Sequence, residues 1–344
     1  MNPMSSRFSA ILKKLEIFYE QEFSLKPLLS VIGKPDFDKR EFGFQVAREN
    51  SVKFIRNISF QTPEKLKKYI LDHTPLAMYV GAIYSEGPNY FEQKSIQNLE
   101  WIRREFIFDI DLTEYDTVRP CSCTGKNMAC EYCWELINVS IKWIQETMIQ
   151  DFGVKDIKWV FSGRRGVHAW ILDRQMSFLD DEQRSAIVNY LTFFKGDGES
   201  AKISPIAKFN SRYQERVKNL IIDSFFNHTA IDQLEKIGFS KPRANLILNQ
   251  RDKMGINNQF YSNFVYGGEK ASSIVPSQKV PTREQINQNI LLRWSPRLDT
   301  AVSIDTRRIL RMPGSIHGES GKRVRFLDYD ELEFFNPIYE ESLY

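Results

Sequence analysis

The chain has little net charge, few cysteines and histidines, and no long apolar run. Lys and Arg number 47 against 44 Asp and Glu, leaving a net charge of only +3. A balance so near neutral does not advertise nucleic acid over the whole surface. Any basic patch must be local, and any nucleic acid would be held weakly or with a partner's help. No apolar run approaches the ~20 residues that span a bilayer, and residues 1–30 lack the apolar core of a signal peptide. The expectation is a soluble, intracellular protein with no membrane contact. Repeats and low-complexity tracts are absent as well. What is present is an apolar content of 42% and an aromatic content of 13%, which suit a globular chain rather than a disordered one. Its 344 residues can bury a large core, as one main domain with a substantial insertion or a second lobe.

The cysteines are few but concentrated. All four, Cys121, Cys123, Cys130 and Cys133, fall in "CSCTGKNMACEYC". An intracellular chain has little use for disulfides. Four thiols with one CxxC arm and a Gly-containing loop can close a tetrahedron around zinc with no open position, the pattern of a structural site. The CxC arm is tighter than usual, so free surface thiols and iron–sulfur ligation stay open as alternatives.

Just upstream, "REFIFDIDLTEYD" ends an apolar, aromatic run in Asp109-Ile110-Asp111. On a strand, residues i and i+2 share a face, so both carboxylates project together while Phe106, Phe108 and Ile110 point into packing. Two adjacent carboxylates repel unless a cation lies between them, and hard ions with oxygen ligands, Mg²⁺ or Mn²⁺, suit that demand. A solvated acidic turn is the plainer alternative. Glycosyltransferases also use a DxD to hold the metal of a nucleotide sugar, but the cysteine knot directly afterwards fits that poorly.

A third element is "SGRRGVHAW", residues 162–170, between the strand-like runs 157–161 and 167–172. Its glycines bend the backbone and leave N–H groups accessible to an anion. Arg164 and Arg165 add planar donors matched to phosphate oxygens, and His168 opens the second strand. Two solvated arginines on a turn would look the same. Far downstream, residues 293–325 gather Asp299, Asp305, Arg307, Arg308, Arg311, His317, Lys322 and Arg323. Pro296 and Pro313 exclude one long helix there. Residues 300–312 read as a short helix or a strand-turn-helix, and a charged surface is the alternative to a metal–phosphate site.

Taken in order, "REF" at 40–42, "FDID" at 108–111, the cysteine cluster, "SGRRGVH", "RLD" and "RMPGSIHGESG" closely resemble the small catalytic subunit of archaeal and eukaryotic DNA primase. The resemblance covers roughly residues 8–175 and 290–335. It implies a template-directed enzyme that makes short RNA primers from NTPs on single-stranded DNA by two-metal nucleotidyl transfer. By resemblance, Asp109, Asp111 and Asp299 match the three metal-binding aspartates. Ser162, Arg164, Arg165 and His168 match the triphosphate-binding motif. His317 matches a second phosphate-site histidine, and Arg311 stands where a basic phosphate contact is expected. Glu41 and Arg56 match positions near the initiating nucleotide or primer end. Tyr79, in "AMYVGAIY", stands where eukaryotic members carry an acid near the ribose, which puts nucleotide selection in doubt. The implied cofactors are catalytic Mg²⁺ or Mn²⁺ and structural Zn²⁺. The implied partners are a primase large subunit, as a heterodimer, and a replicative DNA polymerase complex. Nuclear placement follows if the source is eukaryotic, cytoplasmic if archaeal or viral. Two readings stay open beside this one: a repair or translesion primase-polymerase, and a non-enzymatic zinc-containing nucleic-acid-binding scaffold.

The expected fold is a mixed α/β (α+β) one. A sheet-centred core takes residues 1–175 plus 291–344, with the zinc motif at 121–133, and a mainly helical subdomain takes 176–290. Strands are expected at 53–60, 78–84, 105–111, 157–161, 167–172 and 323–327. Residues 8–19 read as an amphipathic helix, and Trp134, Ile137, Ile141, Ile144 and Met148 form the apolar stripe of another. Thr282 and Gln285 form a capping box, and residues 266–282 read as an exposed loop.

Overall fold

A computed structural model describes residues 3–48, 51–89, 95–119, 121, 123, 129–195, 202–203, 211–267, 281–332 and 334–344. Most of the loop expected at 266–282, residues 268–280, lies outside the described residues. Eleven strands are found among them: β1 Arg40–Arg48, β2 Ser51–Ile58, β3 Ala77–Tyr84, β4 Trp101–Arg103, β5 Phe106–Asp111, β6 Ile157–Phe161, β7 Gly166–Ile171, β8 Phe194–Lys195, β9 Lys202–Ile203, β10 Leu310–Arg311 and β11 Arg325–Leu327. The fold is mixed α/β with antiparallel sheets, and no described helix is long and apolar enough to cross a membrane.

The chain divides into two compact units. The first comprises Met1–Asp111, Met148–Val188 and Leu298–Tyr344. It holds a sheet ordered β10-β3-β1-β2, with β4 also on β3, and a second sheet ordered β11-β6-β7-β5. β1 lies inside the first sheet, although it was not among the expected strands. Phe42, Phe44 and Val46 alternate into the core, and Arg40 and Glu41 just before them are buried too. The helix Pro3–Gln21 lays Leu15, Phe18 and Tyr19 into a core shared with Met78 and Val80 of one sheet and Ile107, Val160 and Trp170 of the other. Helix Pro63–His73 starts where Thr62 caps it, its hydroxyl accepting from the Lys65 N–H, with proline in the first turn.

The second unit comprises Leu112–Thr147 and Asn189–Arg297. Apart from the short β8–β9 pair, its described regular elements are helices, and the cysteine cluster falls within it. Trp143 packs against Phe193 and Tyr213, and Phe225 and Trp294 meet edge to face at 5.6 Å. The helix Arg283–Trp294 opens on the Thr282–Gln285 capping box in both directions. All five residues of the stripe Trp134, Ile137, Ile141, Ile144 and Met148 are buried.

Candidate active site

The site is built on the second sheet of the first unit. β5 pairs with β7 so that Asp109 faces His168 and Asp111 faces Gly166. The alternation places Asp109 and Asp111 on one face, partly exposed, with Phe106, Phe108 and Ile110 fully buried. Ile107, on the acids' own face, is buried as well, so the acids emerge only where the strand leaves the core. Gly166 is needed at this pairing, because a Cβ there would fall 2.4 Å from the Ile110 carbonyl.

β5 is an edge strand, and an edge leaves backbone groups to be satisfied. The Asp299 N–H donates to the Asp109 carbonyl at 2.9 Å, and the Asp109 N–H donates to Ser303 Oγ at 3.4 Å. The segment from Asp299 to Ser303 therefore covers the edge, and a residue far along the chain arrives beside the acid pair. Asp299 Oδ1 caps the short helix Thr300–Ile304 by accepting from the Val302 N–H at 3.1 Å. The three aspartates are neighbours, yet their carboxylate oxygens do not form a set within 4.8 Å of one another. Each side chain is held apart by its own partner: Asp111 accepts from Arg165 Nε at 2.7 Å, Asp109 lies 3.6 Å from His168 Nε2, and Asp299 caps its helix. The donor set is all oxygen on one strand face and its covered edge, which fits a hard divalent ion.

The β6–β7 turn carries the basic motif. The Ser162 N–H closes the turn on the Gly166 carbonyl at 3.0 Å, and Gly163 takes φ +91°. His317 stands against this turn, since a Cβ on Gly163 would meet the His317 Cβ at 2.6 Å. Ser320 Oγ donates to the Gly163 carbonyl at 2.5 Å and locks the two loops together. The backbone N–H groups of Glu319 and Ser320 both donate to His317 Nδ1, at 3.2 Å each. With Nδ1 accepting, a neutral ring carries its proton on Nε2, where it can donate. Burial, then Arg311, Arg164 and Arg165, press the His317 pKa down to about 3. His168 is likewise lowered to about 3, by burial first and then by Arg311. Both rings are therefore neutral near pH 7.

These groups line a cleft of about 640 Å³. Asp109, Asp111, Ser162, Arg164, Arg165, His168, Arg311 and His317 all contribute, and Tyr79 forms part of the wall. The volume suits a nucleotide-sized ligand. Arg311, on β10 opposite Tyr79, lies 5.6 Å over the Tyr79 ring, and Phe54 meets that ring edge-on. Arg164 pairs with Glu319. Glu41 and Arg56 do not line the cleft. They form a two-pronged ion pair at 2.8 and 3.1 Å, and Arg56 also donates to the Arg307 carbonyl.

Sequence reasoning did not assign Glu319 or Ser320, although both stand in the quoted "GSIHGESG". Their partners lie 155 and 157 residues away, a pairing that no local spacing reveals.

The four cysteines form a separate set in the second unit. Their sulfurs all lie within 4.8 Å of one another, and Cys130 Sγ is 3.6 Å from Cys133 Sγ. Four thiolates about 2.3 Å from one ion would stand roughly 3.8 Å apart, so the donors fit a tetrahedral metal. Burial and the neighbouring thiols push Cys123 up to about 11 and raise Cys133, whereas at Cys130 hydrogen bonds from its cysteine neighbours overcome the upward push of burial and lower it.

The chain was compared with known proteins. A family profile described as DNA primase small subunit matches residues 108–329, more than half of the chain. The DNA primase small subunit of Schizosaccharomyces pombe is 31% identical, over 88% of this chain and 69% of that protein. The DNA primase small subunit PriS of Archaeoglobus fulgidus is 28% identical, over 88% and 76%, and that of Thermococcus sibiricus 29%, over 97% and 93%. On the strength of that profile and those relatives, the chain belongs to the DNA primase small subunit family.

Proposed function

We propose that the cleft of the first unit is where this chain, as the catalytic subunit of a DNA primase, joins NTPs into short RNA primers on a single-stranded DNA template. That the chain is an enzyme that makes primers by a nucleotidyl-transferase activity follows from its family. Its finer class is DNA-directed RNA polymerase. The reading rests most on one observation: the 2.9 Å bond from Asp299 N to Asp109 O brings the backbone of a third acid to the pair, which itself lines a cleft with three arginines and His317.

Asp109, Asp111 and Asp299 would hold Mg²⁺ or Mn²⁺, and ions bound there would activate the attacking hydroxyl and neutralise the departing pyrophosphate. The chain's own contribution is positioning and fixed charge. Arg164, Arg165 and Arg311 offer guanidinium donors to the triphosphate oxygens, and the Ser162 hydroxyl lies at the mouth of the same turn. His317 presents a proton on Nε2 as a neutral donor, held in that tautomer by two backbone N–H groups. His168 faces Asp109, with Nε2 3.6 Å from Oδ1. Arg165, which bonds Asp111 at 2.7 Å, would turn to phosphate when a nucleotide binds, and Asp111 would then be available to a cation. The cysteine set would hold one Zn²⁺ as a structural ion with no open position.

The partners implied are a primase large subunit in a heterodimer and a replicative polymerase complex. The near-neutral charge supports that dependence, because few phosphate contacts are available to the chain alone. Placement would be nuclear in a eukaryotic cell and cytoplasmic in an archaeal or viral setting.

The test is primer synthesis on a homopolymer template with NTPs and Mn²⁺ or Mg²⁺. Asp109→Asn and Asp111→Asn are expected to lower turnover about a thousandfold or more while circular dichroism is unchanged, as several kcal/mol of charge stabilisation require. Metal-dependent synthesis that persists in both variants would sink the assignment. A wild-type chain that makes no de novo product would sink the primase reading itself.

A further inference from the structure

Arg104 precedes β5, and its side chain is fully buried, yet the adjacent carboxylate, Glu105, is already bound two-pronged by Arg40. A buried guanidinium needs a specific reason to be there, because desolvation is costly. One of its terminal nitrogens shows a reason, although Nη2 is buried without a hydrogen-bond partner among the described residues. Nη1 donates to the Val302 carbonyl at 3.2 Å and to the Asp305 carbonyl at 2.9 Å. Both carbonyls belong to the end of the helix Thr300–Ile304, whose last turn has no helical partners left to offer. Cations favour that end of a helix.

The other end of this helix is the acid of the site. Asp299 caps it, and Asp299 N and Ser303 Oγ are bonded to Asp109. A helix of five residues has no stability of its own, so its position is whatever its ties dictate. Ties at Asp109 and at Arg104 stand on one stretch of chain, and Thr306 N–H just beyond the helix donates to Asp181 Oδ1 at 3.0 Å. The backbone of that stretch is itself held. Arg184 donates to the Arg104 carbonyl at 2.6 Å and to the Glu105 carbonyl at 3.2 Å, and Arg104 N–H donates to Ser177 O at 3.0 Å.

We infer that Arg104 is a positioning residue that holds Asp299 at its distance from Asp109 and Asp111. The inference rests on the proposed role of Asp299 as a cation ligand. Arg104 touches neither substrate nor ion. It acts by fixing the helix that carries the third acid, as outer partners of metal ligands do.

The test measures Mn²⁺ directly, by electron paramagnetic resonance of the free ion over the full-length chain, alongside the Mn²⁺ dependence of synthesis. Arg104→Met is expected to raise the half-saturating Mn²⁺ about 10- to 100-fold in both measurements, with synthesis recovering at high Mn²⁺. Arg104→Lys keeps a donor and a charge but shortens the reach, and is expected to fall between Met and wild type. Ile247→Ala serves as a control for stability alone: it removes a buried side chain of the second unit, outside the core cluster that includes Ile107 and Val302, and should leave the Mn²⁺ curve in place at a comparable loss of thermal stability. A folded Arg104→Met with a wild-type Mn²⁺ curve would overturn the inference. Should that variant not fold, the Lys variant decides in the same way. Asp299→Asn separates the two layers. If it leaves Mn²⁺ binding unchanged, the role of Asp299 fails; if it weakens binding while the Arg104 variants do not, only the positioning role fails.

Discussion

Gly163→Ala is the most economical way to test whether the basic turn and His317 act as one unit. Two independent penalties meet at this position. The backbone holds φ +91°, a conformation that costs an L-residue about 1–2 kcal/mol relative to glycine. The added methyl would also stand 2.6 Å from His317 Cβ and 3.3 Å from the Lys322 carbonyl, and overpacking of this kind costs roughly 1–3 kcal/mol. If neither loop yields, the loss is therefore about 2–5 kcal/mol. For a unit of roughly 200 residues each kcal/mol moves the melting midpoint about 2–4 °C, so a drop of at least ~4 °C is expected. If the loops do yield, the methyl displaces His317 from Arg164 and Arg165, and the cost appears as a raised KM for NTP with kcat less affected. Calorimetry and a KM–kcat separation together capture both routes. A variant that melts within ~1 °C of wild type and keeps its KM would show that the two loops are not packed as described, and the proposed phosphate site would lose its geometry.

Two further predictions follow from the buried histidines and the thiols. His168 and His317 have folded pKa values near 3, against 6.5 for an ordinary histidine, so the unfolded chain binds more protons between those values. Stability should therefore fall as pH drops below about 6.5, by about 1 kcal/mol per histidine between pH 6.5 and 5.5, and His317→Gln should flatten that slope in urea titrations. A slope unchanged by the substitution would contradict the burial assigned to the ring. Elemental analysis should find about one zinc per chain, and Cys→Ser changes should lower stability more than turnover. A metal-free chain with a wild-type melting curve would remove the structural-zinc assignment.

The sequence by itself determined the local elements and the chemical inventory. The DxD on a strand, the glycine-bounded arginine turn, the four clustered thiols and the capped helix at Thr282 were all legible, because each depends on residues a few positions apart. β1 was less so: Phe42, Phe44 and Val46 alternate properly, but Arg40, Glu41 and Gly43 obscure the pattern, and only the surrounding sheet explains why charged residues are buried there. What tertiary structure alone decided is who meets whom. The edge of β5 needed covering, and the Asp299–Ser303 segment covers it, so an acid 190 residues downstream became a neighbour of Asp109. The helix end that Arg104 satisfies comes to it only through the fold, and Glu41 and Arg56 pair with each other away from the cleft wall. Backbone groups and buried charges take whatever partners the fold brings within about 3 Å, and pairings between distant parts of a chain leave no trace in local spacing.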